Sequence, residues 1–171
     1  MKVFISYHRS DSKQKNILVN FLIKKRINYY VVDEMFSFNG LYHQEIASIV
    51  VSNMEDCDVT ICLIGKETYS RPHIEHELKA TLKGEPGVRK GLVGLLLESR
   101  EDTINALDKQ TLPDRIRENL DNNYVVLGQF ASFRDKLEGY IKKANQIRRK
   151  DISVKNNFRL KELRNGLYYN S

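Results

Sequence analysis

The acidic side chain best placed for chemistry lies on a predicted helix at Pro72–Leu82, which follows a buried strand. The apolar residues of this helix recur at helical spacing: Ile74, Leu78 and Leu82. At 3.6 residues per turn, Glu77 falls about 60° to one side of this apolar stripe, whereas Glu75 and Lys79 are predicted to face water. A carboxylate at the rim of a crevice can accept hydrogen bonds from hydroxyl groups and stabilise developing positive charge on a substrate.

The same helix face offers a second interpretation, a metal site. His73, His76 and Glu77 stand at spacings that place metal ligands on one side of a helix. The order H-x-x-H-E, however, matches neither the zincin nor the inverted zincin pattern. We therefore expect no metal at this helix, and the interpretation of Glu77 as an ordinary solvated helix carboxylate stays open beside the catalytic one.

A second polar cluster follows the first predicted strand. The apolar run Val3–Ile5 passes directly into polar residues, and Ser10 and Asp11 are predicted to cap the next helix. In open α/β sheets, ligands bind beyond the carboxyl ends of the strands. The side chains at that place are Ser6, Tyr7, His8 and Arg9. These four residues are therefore candidate substrate-binding residues, although Tyr7 fits a core position equally well.

Five apolar strand candidates recur about every 30 residues, which is the spacing expected of βα units. They are Lys2–Ser6, Tyr29–Asp33, Val59–Ile64, Leu92–Leu97 and Tyr124–Leu127. Helical patterns separate them, one of which Pro113 interrupts, and the last runs over Phe133–Ile147. The alternation predicts a three-layer α/β fold with a five-stranded parallel, flavodoxin-like sheet of order 2-1-3-4-5 and helices on both faces.

Length and charge indicate one domain with a basic extension. The chain has 171 residues and a net charge of +6, of which seven basic and two acidic residues from Arg148 onward supply +5. We assign residues 1–147 to the domain and 148–171 to a tail that either docks as a last helix or stays loose. Residues after Lys150 are expected to be dispensable for the core.

Several α/β chemistries are excluded by missing residues. No GxGxxG follows a strand, no glycine precedes Gly65-Lys66 at the P-loop spacing, and no GxSxG is present. A phospho-receiver domain needs acidic residues after the first strand and an aspartate at the end of the third, where this chain has Ser6-Tyr7 and Gly65. Two cysteines without a CxxC pair, and no apolar run long enough for a membrane span or signal peptide, lead us to expect a cytoplasmic protein.

The strand followed by Ser6-Tyr7-His8-Arg9-Ser10-Asp11 resembles the first sequence box of the Toll/interleukin-1 receptor (TIR) superfamily. The stretch Ile74-Glu75-His76-Glu77-Leu78 is similar to the context of the glutamate in TIR domains that consume NAD. Among the branches, the chain most resembles the TIR-like ThsB proteins of bacterial Thoeris anti-phage systems, over roughly residues 1–145. A tryptophan often precedes the family's glutamate; this chain has none, and His73 stands near that place.

The resemblance implies a reaction and a role for each candidate residue. NAD would be the substrate rather than a cofactor, cleaved with release of nicotinamide, and Glu77 would be catalytic. An aromatic ring, Tyr7 or Phe36, would stack on nicotinamide or adenine, and Arg9 and Arg71 would hold the pyrophosphate. Substrate-binding roles are also implied for His73 and for Asp33, which begins the loop 33–40. In TIR domains that loop flanks the site and mediates self-assembly, so a homo-oligomer is implied.

Two other functions stay open. The chain could be a non-catalytic TIR module that assembles through the loop 33–40, or the basic tail could bind nucleic acid. For the enzyme, the resemblance implies a cyclic ADP-ribose-type product that reaches an effector protein by diffusion. We expect neither a membrane partner nor, as the main function, a nucleic-acid partner.

Overall fold

The structure is a computed structural model and describes residues 1–32 and 51–156. Within these ranges, five strands form one parallel sheet of order β2-β1-β3-β4-β5, as predicted. The strands are β1 (Lys2–Ser6), β2 (Asn28–Val31), β3 (Val59–Ile64), β4 (Gly91–Leu96) and β5 (Val125–Gln129). The bounds of β1 and β3 match the prediction, and the other three differ from it at their ends.

Strands β1 and β3 are adjacent and central because their side chains are apolar on both faces. Val3 pairs with Val59 and Ser6 pairs with Cys62 in the parallel register. All six residues of β3 are buried, whereas the residues of β2 are partly or fully exposed. The sequence-based placement of these two strands at the centre is confirmed.

The described helices are α1 (Ser12–Lys24), α2 (Pro72–Thr81), α3 (Asp114–Glu118) and α4 (Phe133–Ile147). The bounds of α4 match the prediction, and α3 begins directly after Pro113, the predicted interruption. A further helix is predicted over Ile46–Met54, and most of it lies outside the described residues. Its described part, residues 51–54, is helical.

Helices cover both faces of the sheet. Thr60 of β3 is hydrogen-bonded to Thr81 of α2, and Thr60 pairs in register with Leu92 of β4. Gly91 directly precedes Leu92 in β4, so a side chain at position 91 would lie on the opposite face of the sheet. A Cβ there would lie 2.5 Å from the backbone oxygen of Ala144 in α4. Helices α2 and α4 therefore lie on opposite sides of the sheet, which confirms the three-layer fold.

One aspartate, Asp58, links several elements at the amino-terminal ends of the strands. The carboxylate of Asp58 accepts a hydrogen bond from the backbone N–H of Lys2 at 3.0 Å and from the guanidinium of Arg148 at 2.9 Å. The backbone carbonyl of Asp58 accepts from Gly91 N–H at 2.9 Å. The starts of β1 and β4 and the end of α4 are thus held together just before β3.

The chain beyond α4 stays on the domain up to the last described residue. Residues 151–156 form a segment without regular secondary structure, in which Ile152 and Val154 pack against the core. The Asn119 side chain donates to the carbonyl of Lys155 and accepts from its N–H, at 2.7 and 2.8 Å. The expectation that everything after Lys150 is dispensable is therefore revised for residues 151–156. The assignment of domain and tail to residues 1–147 and 148–171 stays a prediction.

Both cysteines, Cys57 and Cys62, are free thiols buried in the core. Over residues 1–32 and 51–156, none of the helices is both long and apolar enough to cross a membrane.

Candidate active site

Helix α2 is fixed on the sheet by its apolar stripe and by one threonine. Pro72 occupies the first turn, where a missing N–H is harmless, and the helix begins there as predicted. Ile74 and Leu78 are fully buried. The Thr81 hydroxyl lies 2.8 Å from the Thr60 hydroxyl of β3 and donates to the carbonyl of Glu77 at 2.9 Å. The position of Glu77 is thus set by contacts on both sides of it along the helix.

Glu77 is buried, with 9% of its surface exposed. It is therefore more enclosed than predicted, since the sequence pattern placed it at the rim of a crevice. Burial raises the pKa of the Cys62 thiol well above its ordinary range, and the charge of Glu77 is the next largest cause. The neighbouring Ser6 side chain, which is also buried, opposes this rise. Helix α2 starts beyond the carboxyl end of β3, and its last residue, Thr81, is bonded to Thr60 near the start of that strand. Glu77 therefore lies above β3, on the carboxyl-terminal side of Thr60.

Glu75 does not face water, and the prediction that it does is wrong. Its carboxylate accepts hydrogen bonds from Arg115 Nη1 at 2.7 Å and from the Asp114 backbone N–H at 2.6 Å, and only 5% of Glu75 is exposed. Burial raises the pKa of the Glu75 carboxyl, and Arg115 opposes that rise. The physical reason is a second packing face on α2, which the short helix α3 covers.

The end of β1 meets the start of α2 through two imidazole rings. His8 and His73 are stacked, with ring centroids 5.9 Å apart. His8 Nδ1 also lies 2.8 Å from the Ser10 hydroxyl. His8 is buried and His73 is half-buried, whereas His76 is exposed and takes no part in this contact. The structure therefore brings two of the predicted substrate-binding residues together beside the helix that carries Glu77.

Tyr7 and Lys15 form a second contact at this place. Tyr7 is buried, and the ammonium group of Lys15 lies 5.3 Å from the centre of its ring. Lys15 is itself buried, with 8% of its surface exposed. Sequence reasoning missed it, although Lys15 precedes Leu18 and Leu22 at helical spacing on the buried face of α1.

The two arginines predicted to bind pyrophosphate have different surroundings. Arg9 is exposed. Arg71, just before α2, forms an ion pair with Glu67 at the surface. Asp33 and Phe36, and with them the loop 33–40, lie outside the described residues.

The prediction that Asp11 caps the first helix is wrong. Among the residues that the structure describes, the Asp11 side chain makes no capping hydrogen bond to α1, although Asp11 stands directly before that helix. A single turn of 3-10 helix, Arg9–Asp11, precedes α1, and there the backbone N–H of Ser10 is bonded to His8 Nδ1 at 3.4 Å. The carboxyl of Asp11 is buried instead, and burial together with the nearby Glu67 raises its pKa to about 6.

A cavity of about 450 Å³ opens on the same edge of the sheet, past β3 and β4. It is lined by Lys66, Ser99, Arg100, Glu101, Asp102, Thr103, Ala106, Asp108 and Thr111. None of the predicted site residues within 1–32 and 51–156 lines it. Its buried guanidinium, that of Arg100, is already bonded to Asp102 and Thr111 at 2.6–2.8 Å. The cavity is therefore separate from the described residues of the predicted site. Among the described residues, no group of three potential ligands for a metal ion occurs.

A parallel sheet of order 2-1-3-4-5, followed after β3 by a helix that carries Glu77, is a flavodoxin-like α/β domain. Residues 4–102, more than half of the chain, match the family model of the Thoeris protein ThsB, TIR-like domain. The chain belongs to this family of TIR-like proteins of the Thoeris anti-phage system. No curated protein matches it. Among solved structures, it is similar to the TIR domains in the activated Roq1 resistosome that directly recognises the pathogen effector XopQ. That similarity has 15% identity and a TM-score of 0.45, covering 86% of this chain and 82% of the other.

Proposed function

We propose that this protein cleaves NAD at the bond between nicotinamide and ribose, with Glu77 as the catalytic residue. The product would be a cyclic ADP-ribose-type nucleotide that signals to an effector protein in anti-phage defence. Membership of the Thoeris family supports the defence role. The observation that carries the enzymatic proposal is the burial of the Glu77 carboxylate on α2, above β3 and toward the carboxyl end of that strand.

The chemistry needs a negative charge more than it needs an acid. When the bond from ribose C1′ to the nicotinamide nitrogen breaks, its electron pair leaves with nicotinamide, which departs as a neutral molecule. Positive charge then develops on the ribose, as it does in glycoside cleavage. A carboxylate at Glu77 stabilises that charge by its own charge and by accepting hydrogen bonds from ribose hydroxyls. A water molecule or a ring nitrogen of the adenine then attacks C1′. The water loses a proton to solvent, and the alkylated adenine loses one from its amino group.

Burial makes this carboxylate effective. A charge in a partly desolvated site acts on its surroundings more strongly than one in water. Burying a carboxylate also costs free energy, so one held on the sheet-facing side of a helix indicates a use other than solubility. The Thr81 hydroxyl, one turn after Glu77, is bonded to Thr60 of β3, so this part of α2 packs on that strand.

Neighbouring side chains supply contacts for the rest of the nucleotide. The stacked rings of His8 and His73 offer an aromatic surface at the start of α2. Arg71 would release Glu67, its ion-pair partner, and bind the pyrophosphate instead. A guanidinium group can donate two parallel hydrogen bonds to the oxygens of one phosphate. Self-assembly through the loop 33–40 is part of the proposal, as is a cytoplasmic location.

The test is nicotinamide release from NAD by purified protein, with and without extract of phage-infected cells. Glu77→Gln should reduce release at least about a hundredfold. Glu85→Gln is the matched control, because Glu85 is exposed and follows the end of α2. Chromatography of the products then identifies the nucleotide. Self-association without nicotinamide release under both conditions would favour the non-catalytic TIR module instead.

A further inference from the structure

Asp11 and Gly65 meet at the point where the order of strands changes direction. The chain leaves β1 toward β2 on one side and leaves β3 toward β4 on the other, so the crevice between β1 and β3 is the switch point of the sheet. Ligands of open α/β sheets bind at this point, beyond the carboxyl ends of the strands. Asp11 follows β1, and Gly65 comes directly after the last residue of β3.

The carboxyl of Asp11 lies directly against Gly65. A Cβ placed on Gly65 would lie 2.5 Å from Asp11 Oδ2 and 2.6 Å from Oδ1. The missing side chain at position 65 is therefore what leaves room for this carboxyl across the crevice. Asp11 thus meets the carboxyl end of β3 at Gly65, and Glu77 lies on α2, which packs on the same strand through Thr81 and Thr60.

Asp11 is also poorly satisfied by the protein. Only 5% of its surface is exposed, and Oδ2 has no hydrogen-bond partner among the residues that the structure describes. An aspartate at the start of a helix ordinarily stabilises the helix by accepting a hydrogen bond from a backbone N–H of its first turn. The Asp11 side chain makes no such bond to α1. Buried polar atoms are almost always bonded, so an exception indicates a bond made to something else.

We propose that Asp11 is a second substrate-binding carboxyl, which accepts a hydrogen bond from a ribose hydroxyl of the nucleotide. This inference rests on the proposed NAD cleavage. A ribose carries neighbouring hydroxyl groups, so one carboxyl on each side of the crevice can each accept from one of them. Asp11 on the α1 side would hold the sugar while Glu77 on the α2 side faces the developing charge.

The test separates binding from folding and from cleavage. Binding of carba-NAD, an analogue whose nicotinamide bond does not break, is measured by calorimetry for wild type and for Asp11→Asn. A hydrogen bond to a charged acceptor corresponds to roughly a tenfold to hundredfold weaker Kd on its loss. Asp135→Asn is the matched control, because Asp135 lies in the first turn of α4 and is exposed. Gly65→Ala should weaken binding in the same way with Asp11 retained, because its Cβ displaces the carboxyl.

Thermal unfolding without ligand completes the test. A buried carboxyl whose hydrogen-bond partner is a ligand destabilises the protein when that ligand is absent. Asp11→Asn should therefore melt at the same temperature as wild type or at a higher one. A lower melting temperature for Asp11→Asn together with unchanged affinity for carba-NAD would show a structural role and overturn the inference. Equal affinity in wild type, Asp11→Asn and Gly65→Ala would also overturn it, while leaving NAD cleavage intact. If wild type neither binds carba-NAD nor releases nicotinamide from NAD, the proposed function fails and this inference fails with it.

Discussion

Arg115 of α3 holds the carboxylate of Glu75 of α2 at 2.7 Å, and both side chains are almost fully buried. Arg115 also donates to the side chain and backbone of Asn156, at 3.0 and 3.2 Å. One buried guanidinium therefore links the helix that carries Glu77, the short helix after β4 and the segment 151–156. The ion pair makes α2 part of a larger unit on one face of the sheet.

Breaking this ion pair should be costly. Glu75→Gln leaves the charge of Arg115 buried beside a neutral partner, and losses of about 3 kcal/mol are typical of such variants. Denaturant unfolding followed by circular dichroism measures the loss. The double variant Glu75→Gln/Arg115→Met should be more stable than Glu75→Gln alone, because it removes the uncompensated charge. A Glu75→Gln protein as stable as wild type would contradict the buried pair.

Glu77→Gln should reduce nicotinamide release at least about a hundredfold while the fold is retained. The amide keeps the shape of the side chain but supplies no negative charge to the developing ribosyl cation. We expect the free energy of unfolding to stay within about 1 kcal/mol of wild type, since an isosteric change creates no cavity. Activity assays at equal concentrations of folded protein, with Glu85→Gln beside them, check this. Full activity in Glu77→Gln would remove this residue from the reaction.

Asp11 gives the stability of the protein a pH dependence of known sign. Its pKa rises from an ordinary value of 3.8 to about 6 in the folded protein. Between these pH values the folded state keeps a proton that the unfolded chain has released, so this group lowers stability as the pH rises from about 4 to about 6, by roughly 3 kcal/mol at most. Urea unfolding at a series of pH values should show that decline in wild type and a smaller one in Asp11→Asn. Identical pH profiles for the two proteins would contradict the shifted pKa.

Truncation after Lys150 should destabilise the domain. It removes the bonds that the segment 151–156 makes with Asn119 and Arg115 and uncovers part of the core. We expect the melting temperature to fall by at least about 5 °C, corresponding to about 2 kcal/mol in a domain of this size. Asn119→Ala should lower it too, and combining both changes should cost less than their sum because they share the same bonds. A truncated protein that melts like the full chain would show that this contact contributes nothing.

The fold could be predicted because its signals are local. The predominantly apolar runs of β1 and β3 indicated central strands, and Pro113 indicated a break that the structure places directly before α3. The stripe of Ile74 and Leu78 likewise set the buried face of α2. Each of these features depends on residues within a few positions of one another.

The errors in the site have a common cause, which is contact between segments distant in the sequence. A helical projection of α2 shows one apolar face, so it cannot show that α3 also covers Glu75. Asp11 has the residue type and position of a helix cap, but its burial against Gly65, more than 50 residues away, outweighs that local preference. Lys15 was missed for a related reason, since a lysine on an apolar stripe is expected to reach for solvent rather than lie over Tyr7.

The cluster around Asp58 lies at the ends of the strands opposite to the candidate site, which makes this side of the molecule suitable for attaching a label. Lys2, which Asp58 holds, begins β1 at the edge of the sheet opposite to Ser6, and four residue steps along a strand separate the two by about 13 Å. A fluorophore or immobilisation tag placed ahead of Met1 therefore leaves the face that carries Glu77 and Asp11 accessible. Surface-tethered binding measurements with carba-NAD should accordingly be built on attachment at this end of the chain.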